Sequence, residues 1–137
     1  MMFANMFNHI NLIGKSLDAS WLRQEIISQN IANVDTPKYK SRRVEFETMF
    51  RNALQNENSF ETKTTRSRHI KALTGDPLAT RPVIITDTHY SMRMDENNVD
   101  IDQEMIRLSQ NTVLYNQLVN KANMEFNRLR IAITGNR

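Results

Sequence analysis

Ten residues near the C-terminus, Ile101, Met105, Leu108, Thr112, Tyr115, Val119, Ala122, Phe126, Leu129 and Ile133, follow one another at alternating spacings of four and three without a slip. Only a helix brings such positions onto one stripe, and an unbroken four–three alternation is the heptad seam of a coiled coil. At 1.5 Å per residue this helix runs about 50 Å, too long for the rest of so short a chain to wrap as a ball. Asp100 followed by Gln103 supplies a helix start, a side-chain acceptor for orphan amides with an N3 partner. Gly135 suits the far end as a C-cap.

Toward the N-terminus Ile10, Ile13, Leu17, Ser20, Gln24, Ile27, Ile31 and Val34 repeat the same spacing with two polar interruptions. They predict a second helix over about residues 8–34, some 40 Å long. Pro37 disfavours helix at Thr36 and stops it. The expected fold is therefore mainly α, with two long terminal helices paired as an antiparallel-type coiled coil. Residues 1–36 and 99–137 form one helical domain, and 37–98 form an extended or partly disordered middle segment with a short helix and short strands.

Both helices carry apolar residues away from these seams. Leu12, Ala19, Leu22 and Ile26 fall roughly opposite the first, and Ile106, Val113, Met124 and Ile131 gather in a sector away from the second. A two-helix hairpin cannot hide them. Neighbouring subunits would cover them in an assembly; the alternative is a middle-region element that folds back over them. Of the middle residues, Phe46, Met49, Phe50, Ala53 and Leu54 predict a short amphipathic helix after an extended stretch from Pro37 to Val44. Residues 55–69 read as a polar linker. Val83, Ile84 and Ile85 after Pro82, then Tyr90, Met92 and Met94 in alternation, read as short strands or extended arms.

Chemistry finds little purchase. No cysteine occurs, so disulfides, thiolate metal sites and cysteine nucleophiles are excluded. His9, His69 and His89 are dispersed, and Gly14, Gly75 and Gly135 lie too far apart for a phosphate loop. The acidic run from Asp95 to Glu104 fails as a calcium loop, because Val99 and Asp100 stand at its fifth and sixth positions, and helix capping accounts for it. Trp21 reads as a packing residue. No GxSxG is present. The reading is that catalytic, cofactor and metal sites are all absent. Despite a sequence pI near 9.4, the basic excess is spread evenly and its densest run, Lys38, Lys40, Arg42 and Arg43, meets Glu45 and Glu47 at once. That argues against a nucleic-acid face. No stretch reaches membrane-spanning length, and Lys15, Asp18, Arg23 and Glu25 interrupt any secretory signal in the first thirty residues.

The junction of the first helix with its proline turn reads ISQNIANVDTPKYK, from Ile27 to Lys40. It resembles the N-terminal signature of the flagellar axial proteins of bacteria, the family that forms rod and hook. NNVDIDQEM, from Asn97 to Met105, is similar to the start of that family's C-terminal helix. The short length and the missing middle domain fit a proximal-rod member better than a hook or distal-rod one. The likeness covers residues 1–55 and 90–137. One departure is Lys38, where most axial relatives carry glycine, which makes a left-handed turn there less expected.

The resemblance implies an assembly motif of Asn30, Ile31, Ala32, Asn33, Thr36, Pro37 and Tyr39. The heptad spacing separately gives the helix seam, Ile10, Ile13, Leu17, Ile27, Ile31 and Val34 against Ile101, Met105, Leu108, Tyr115, Val119, Phe126, Leu129 and Ile133. The resemblance further implies a non-enzymatic subunit of the proximal rod, a drive-shaft and export channel. The implied partners are further copies, other rod proteins, the basal-body adaptor and the flagellar type III export apparatus, with residence in the periplasmic rod after export without a cleaved signal. The competing expectation is a small basic adaptor that binds nucleic acid or an acidic protein through Lys38 to Arg43 and Lys63 to Lys71.

Overall fold

A computed structural model describes residues 2–56, 77–88 and 93–135. Helix α1 spans Met2–Ala32 and helix α3 spans Ile101–Thr134. Between them lie strand β1 (Arg42–Glu45), helix α2 (Glu47–Asn56), a 3-10 turn (Pro77–Ala79) and strand β2 (Val83–Thr86). The caps of α3 are those its sequence requires. Asp100 accepts from the amides of Asp102 and Gln103, and the Gly135 amide closes the last turn on the Ile131 carbonyl. Helix α1 begins earlier than its heptads indicate and fades at Ala32 into turns closed by the Asn33, Val34 and Thr36 amides.

The two long helices pack antiparallel: Ser20 meets Asn111 and Asn30 meets Glu104, so one chain position rises as the other falls. On α1 Ile27 is buried and Ile10, Ile13, Leu17, Ile31 and Val34 are half-buried. On α3 the inward line differs from the apolar seam. It runs through Glu104, Leu108, Asn111, Leu118, Ala122, Glu125 and Leu129, all buried or half-buried, as is Val119. Ile101, Met105, Tyr115, Phe126 and Ile133 are exposed. The heptad repeat is real, but the helix is rotated by about half a face from the orientation that apolar residues alone indicate. The reason is that Glu104 and Asn111 find hydrogen-bond partners on α1, and satisfied polar groups can occupy an interior stripe.

The second faces part company. Ala19 and Ile26 of α1 join Val44 and Phe46 in the buried core, flanked by Leu22 and Phe50. The rings of Phe46 and Phe50 stack with centroids 5.0 Å apart. The middle region thus folds back over α1, and covering by another subunit is not what hides that face. Nothing in the chain covers Ile106, Val113, Met124 and Ile131 of α3 among the described residues; all are more than half exposed.

Strands β1 and β2 form an antiparallel ribbon with Arg42 opposite Thr86 and Val44 opposite Ile84. The pairing extends as the Asp87 amide donates to the Ser41 carbonyl. β1 turns Val44 into the core, whereas Val83, Ile84 and Ile85 of β2 all stay exposed. The amphipathic helix over Phe46 to Leu54 is present as α2. The linker over 55–69 falls almost wholly outside the described residues, and so do Tyr90 and Met92; Met94 sits fully exposed in a turn.

Candidate assembly interface

Two asparagines with no solvent exposure organise the end of the hairpin where α1 stops and α3 begins. Asn30 is 0% exposed. Its Nδ2 donates to the Arg42 carbonyl at 2.7 Å and to Glu104 Oε2 at 3.2 Å. Its Oδ1 accepts from the Arg42 amide at 3.0 Å and from the Tyr39 hydroxyl at 3.3 Å. One side chain therefore joins α1, β1, the proline turn and α3. Asn97, also 0% exposed, donates from Nδ2 to the carbonyls of Asn33, Val34 and Thr36, each at 2.9 Å, and accepts the Val99 amide at 2.8 Å. Those three carbonyls lie in the turns just past the end of α1, where the Asn33 and Thr36 carbonyls also accept the Thr36 and Tyr39 amides. Asn97 is thus a C-cap supplied from the other end of the chain.

Neighbouring polar groups complete the knot. Asn33 donates to the Gln29 carbonyl and accepts from the Thr36 hydroxyl. Asn98 accepts the Ser41 amide and donates to the Asp87 carbonyl, pinning the mouth of the ribbon. No buried side-chain nitrogen or oxygen among the described residues lacks a partner. Of the motif residues, Asn30 lies fully inside, Ile31, Asn33 and Tyr39 are half-buried, and Ala32, Thr36 and Pro37 face outward.

The turn after Pro37 holds a surprise for a residue with a Cβ. Lys38 has φ 63°, the left-handed region, as does Glu96 with φ 62°. Lysine in place of glycine makes that turn less expected, and the chain adopts it nonetheless. The strained conformation persists because the Lys38 amide donates to the Asp95 carbonyl at 2.8 Å and the Lys40 ammonium donates to the Glu96 carbonyl at 2.7 Å. Arg93 grips Asp95 with two hydrogen bonds, at 3.1 and 2.8 Å, and that contact holds the Asp95 carboxyl below its ordinary range and raises the Arg93 guanidinium above its own.

Polar pairing continues along the helices. Ser20 donates to Asn111 Oδ1 at 3.0 Å, and Asn111 returns bonds to the Ser20 carbonyl and to Gln24 Oε1. Glu104 also accepts from Arg107, and Glu125 pairs with Lys121 and Arg128 on its own helix. Beside this polar line an open cleft of about 430 Å³ lies between α1, β1 and α3. Of the basic run that could serve a polyanion, Arg42 donates to Gln29, Lys40 donates to the Glu96 carbonyl, and Arg43 stays exposed 3.8 Å from Glu45; the second basic stretch, Lys63 to Lys71, lies outside the described residues. Among the described residues no group of histidines and carboxylates is placed to hold a metal ion. No helix among them is long and apolar enough to cross a membrane.

The model of a family described as "Flagella basal body rod protein" matches residues 17–40, from the middle of α1 through the proline turn. Similarity to individual proteins extends much further. The chain is 35% identical to the flagellar basal body rod protein FlgB of Bacillus subtilis over 92% of its own length and 93% of that protein's. The chain belongs to the FlgB family. The FlgB of Borrelia hermsii is 36% identical over 90% of this chain and 94% of the relative, and that of Aquifex aeolicus is 28% identical over 96% and 97%. The FlgB likeness therefore includes both halves of the knot, the motif from Asn30 to Tyr39 and the segment holding Asn97 and Glu104.

The sequence singles out Asn30 to Tyr39 as a motif, and it does not show Asn97, Asn98, Glu104 and Asn111 as structural partners. The available signal is the run of Asn and Asp before α3, which the sequence presents as a helix cap and as a segment similar to the start of the family's C-terminal helix.

Proposed function

We propose that the chain is a structural subunit of the proximal rod of the flagellar basal body, acting by packing and catalysing nothing. One observation carries this beyond the family membership. Among the described residues, helix α3, 34 residues long, is covered along a stripe that mixes Glu104, Asn111 and Glu125 with Leu108, Leu118, Ala122 and Leu129, while Ile106, Val113, Met124 and Ile131 project away from it. Apolar side chains gathered in one sector of a long helix mark a surface for another chain.

In this reading Ile101, Met105, Tyr115, Phe126 and Ile133 contact neighbouring subunits. The knot of Asn30, Asn33 and Tyr39 fixes the angle at which Ala32, Thr36 and Pro37 are presented. Residues 1–36 and 99–137 act as one helical domain, and the elements within 37–98 brace its α1 side. Successive subunits form a drive-shaft around an export channel, in contact with other rod proteins and the basal-body adaptor. The subunit reaches the periplasmic rod through the flagellar type III apparatus without a cleaved signal.

Deleting the gene tests this. Motility and rods seen by electron microscopy of isolated basal bodies disappear and return on complementation; complete basal bodies in the deletion strain refute the proposal.

A further inference from the structure

The cleft and the exposed ridge of α3 lie on opposite sides of the same helix. Arg107, Asn111 and Leu114 of α3 line the cleft. At 100° per residue their mean direction is about 170° from that of Ile101, Asp102, Met105 and Ser109. The two surfaces also complement each other. The cleft floor is apolar, built from Ile26, Ile27, Val44 and Leu114. Arg23, Arg42, Arg43 and Arg107 surround it; Arg23 pairs with Glu47 and Arg107 with Glu104, which leaves Arg42 and Arg43 as the charges that the lining's own carboxylates do not offset. The ridge offers the exposed aliphatics Ile101 and Met105 beside the exposed carboxylates of Asp100 and Asp102.

We propose that the cleft receives the first turns of α3 from a second copy of this chain. Ile101 and Met105 enter the apolar floor, and Asp102 meets Arg43, an exposed side chain whose ion pair among the described residues is a 3.8 Å contact with Glu45 on its own strand. Because the donor and acceptor surfaces differ and point in opposite directions, the contact is heterologous. Each copy fills one neighbour and is filled by another, which generates an open or ring-closed series and never a self-limiting pair. The inference rests on the rod-subunit reading and specifies which surfaces touch.

The natural chain has no cysteine, so an Arg43→Cys, Asp102→Cys variant carries thiols only at the proposed contact. Expressed in place of the native copy, it is treated with a short bismaleimide in isolated basal bodies. The expected product is a ladder of dimers, trimers and larger species, while either single variant alone yields monomer. A dimer without higher species, or monomer alone, overturns the contact. Charge reversal covers the case in which the cysteine variant fails to enter basal bodies. Arg43→Asp and Asp102→Arg each reduce motility at least several-fold, and the pair together recovers it; no recovery overturns the proposal. Presence of the native chain in basal bodies isolated from the parent strain is scored separately, so that failure of this contact is not confused with failure of the rod reading.

Discussion

Truncating Asn97 to alanine removes the group that ties the end of α1 to the start of α3. The Val99 amide, on a residue only 5% exposed, then loses its acceptor, and burying an unsatisfied donor costs about 1–3 kcal/mol. The carbonyls of Asn33, Val34 and Thr36 lose a shared donor as well, which adds about 1 kcal/mol where water replaces it incompletely. The sum, about 3 kcal/mol, is a large share of the roughly 5–15 kcal/mol that holds an ordinary domain together. Urea unfolding followed by circular dichroism reads it as a midpoint lower by about 1.5 M, taking a slope near 2 kcal/mol per M. Asn33→Ala, which deletes one half-buried bond to the Gln29 carbonyl, lowers stability by only about 1 kcal/mol.

Asn97→Asp sharpens the test because it keeps shape and removes the donors. At pH 7 its carboxylate faces three carbonyl oxygens, so the neutral form is favoured and the folded-state pKa rises above the unfolded one. The deficit is therefore greatest at neutral pH and shrinks as the pH falls through that raised value. An aspartate variant as stable as the parent at pH 7, or an alanine variant within 1 kcal/mol of it, refutes the capping role.

Three further outcomes follow from the same structure. Phe46→Ala empties the centre of the small core and its stack on Phe50, lowering unfolding free energy by about 3–5 kcal/mol in urea titrations. Lys38→Gly relieves the left-handed backbone at φ 63° but adds unfolded-state freedom, for a net gain of about 0.5 kcal/mol; a loss above 1 kcal/mol contradicts the strain. The Arg93–Asp95 contact stabilises above the ordinary carboxylate value of 3.8, and its contribution fades as the pH falls through the lower folded value. Urea midpoints of the parent against Asp95→Asn should converge at acid pH.

The long helices were legible because heptads and caps are local signals. Asp100 and Gly135 mark α3 without reference to any other residue. What stayed hidden was the rotation of α3. Apolar spacing points to Ile101, Met105 and Phe126 as the inner line, yet the chain turns Glu104 and Asn111 inward, since their partners Asn30, Ser20 and Gln24 lie some 70 to 90 positions away and leave no local trace. Left-handed Lys38 was hidden for the same reason, because the carbonyls that hold its turn come from Asp95 and Glu96. The motif from Asn30 to Tyr39 was visible as a motif, but its role as an internal joint depends on Asn97 and Glu104.

Polar contacts inside the helical hairpin also bear on how it carries load. A purely aliphatic stripe would let two antiparallel helices slide by one heptad, about 10 Å, and find nearly equivalent packing. Here such a slip sets Asn111 opposite Ile13 or Ile27 and strands its amide among hydrocarbon, while Glu104 leaves Asn30. Each Ser20–Asn111 and Asn30–Glu104 contact thus behaves as a tooth engaged in a slot, and axial shear meets a barrier before the helices can creep. A shaft made of such hairpins returns to one length after each load.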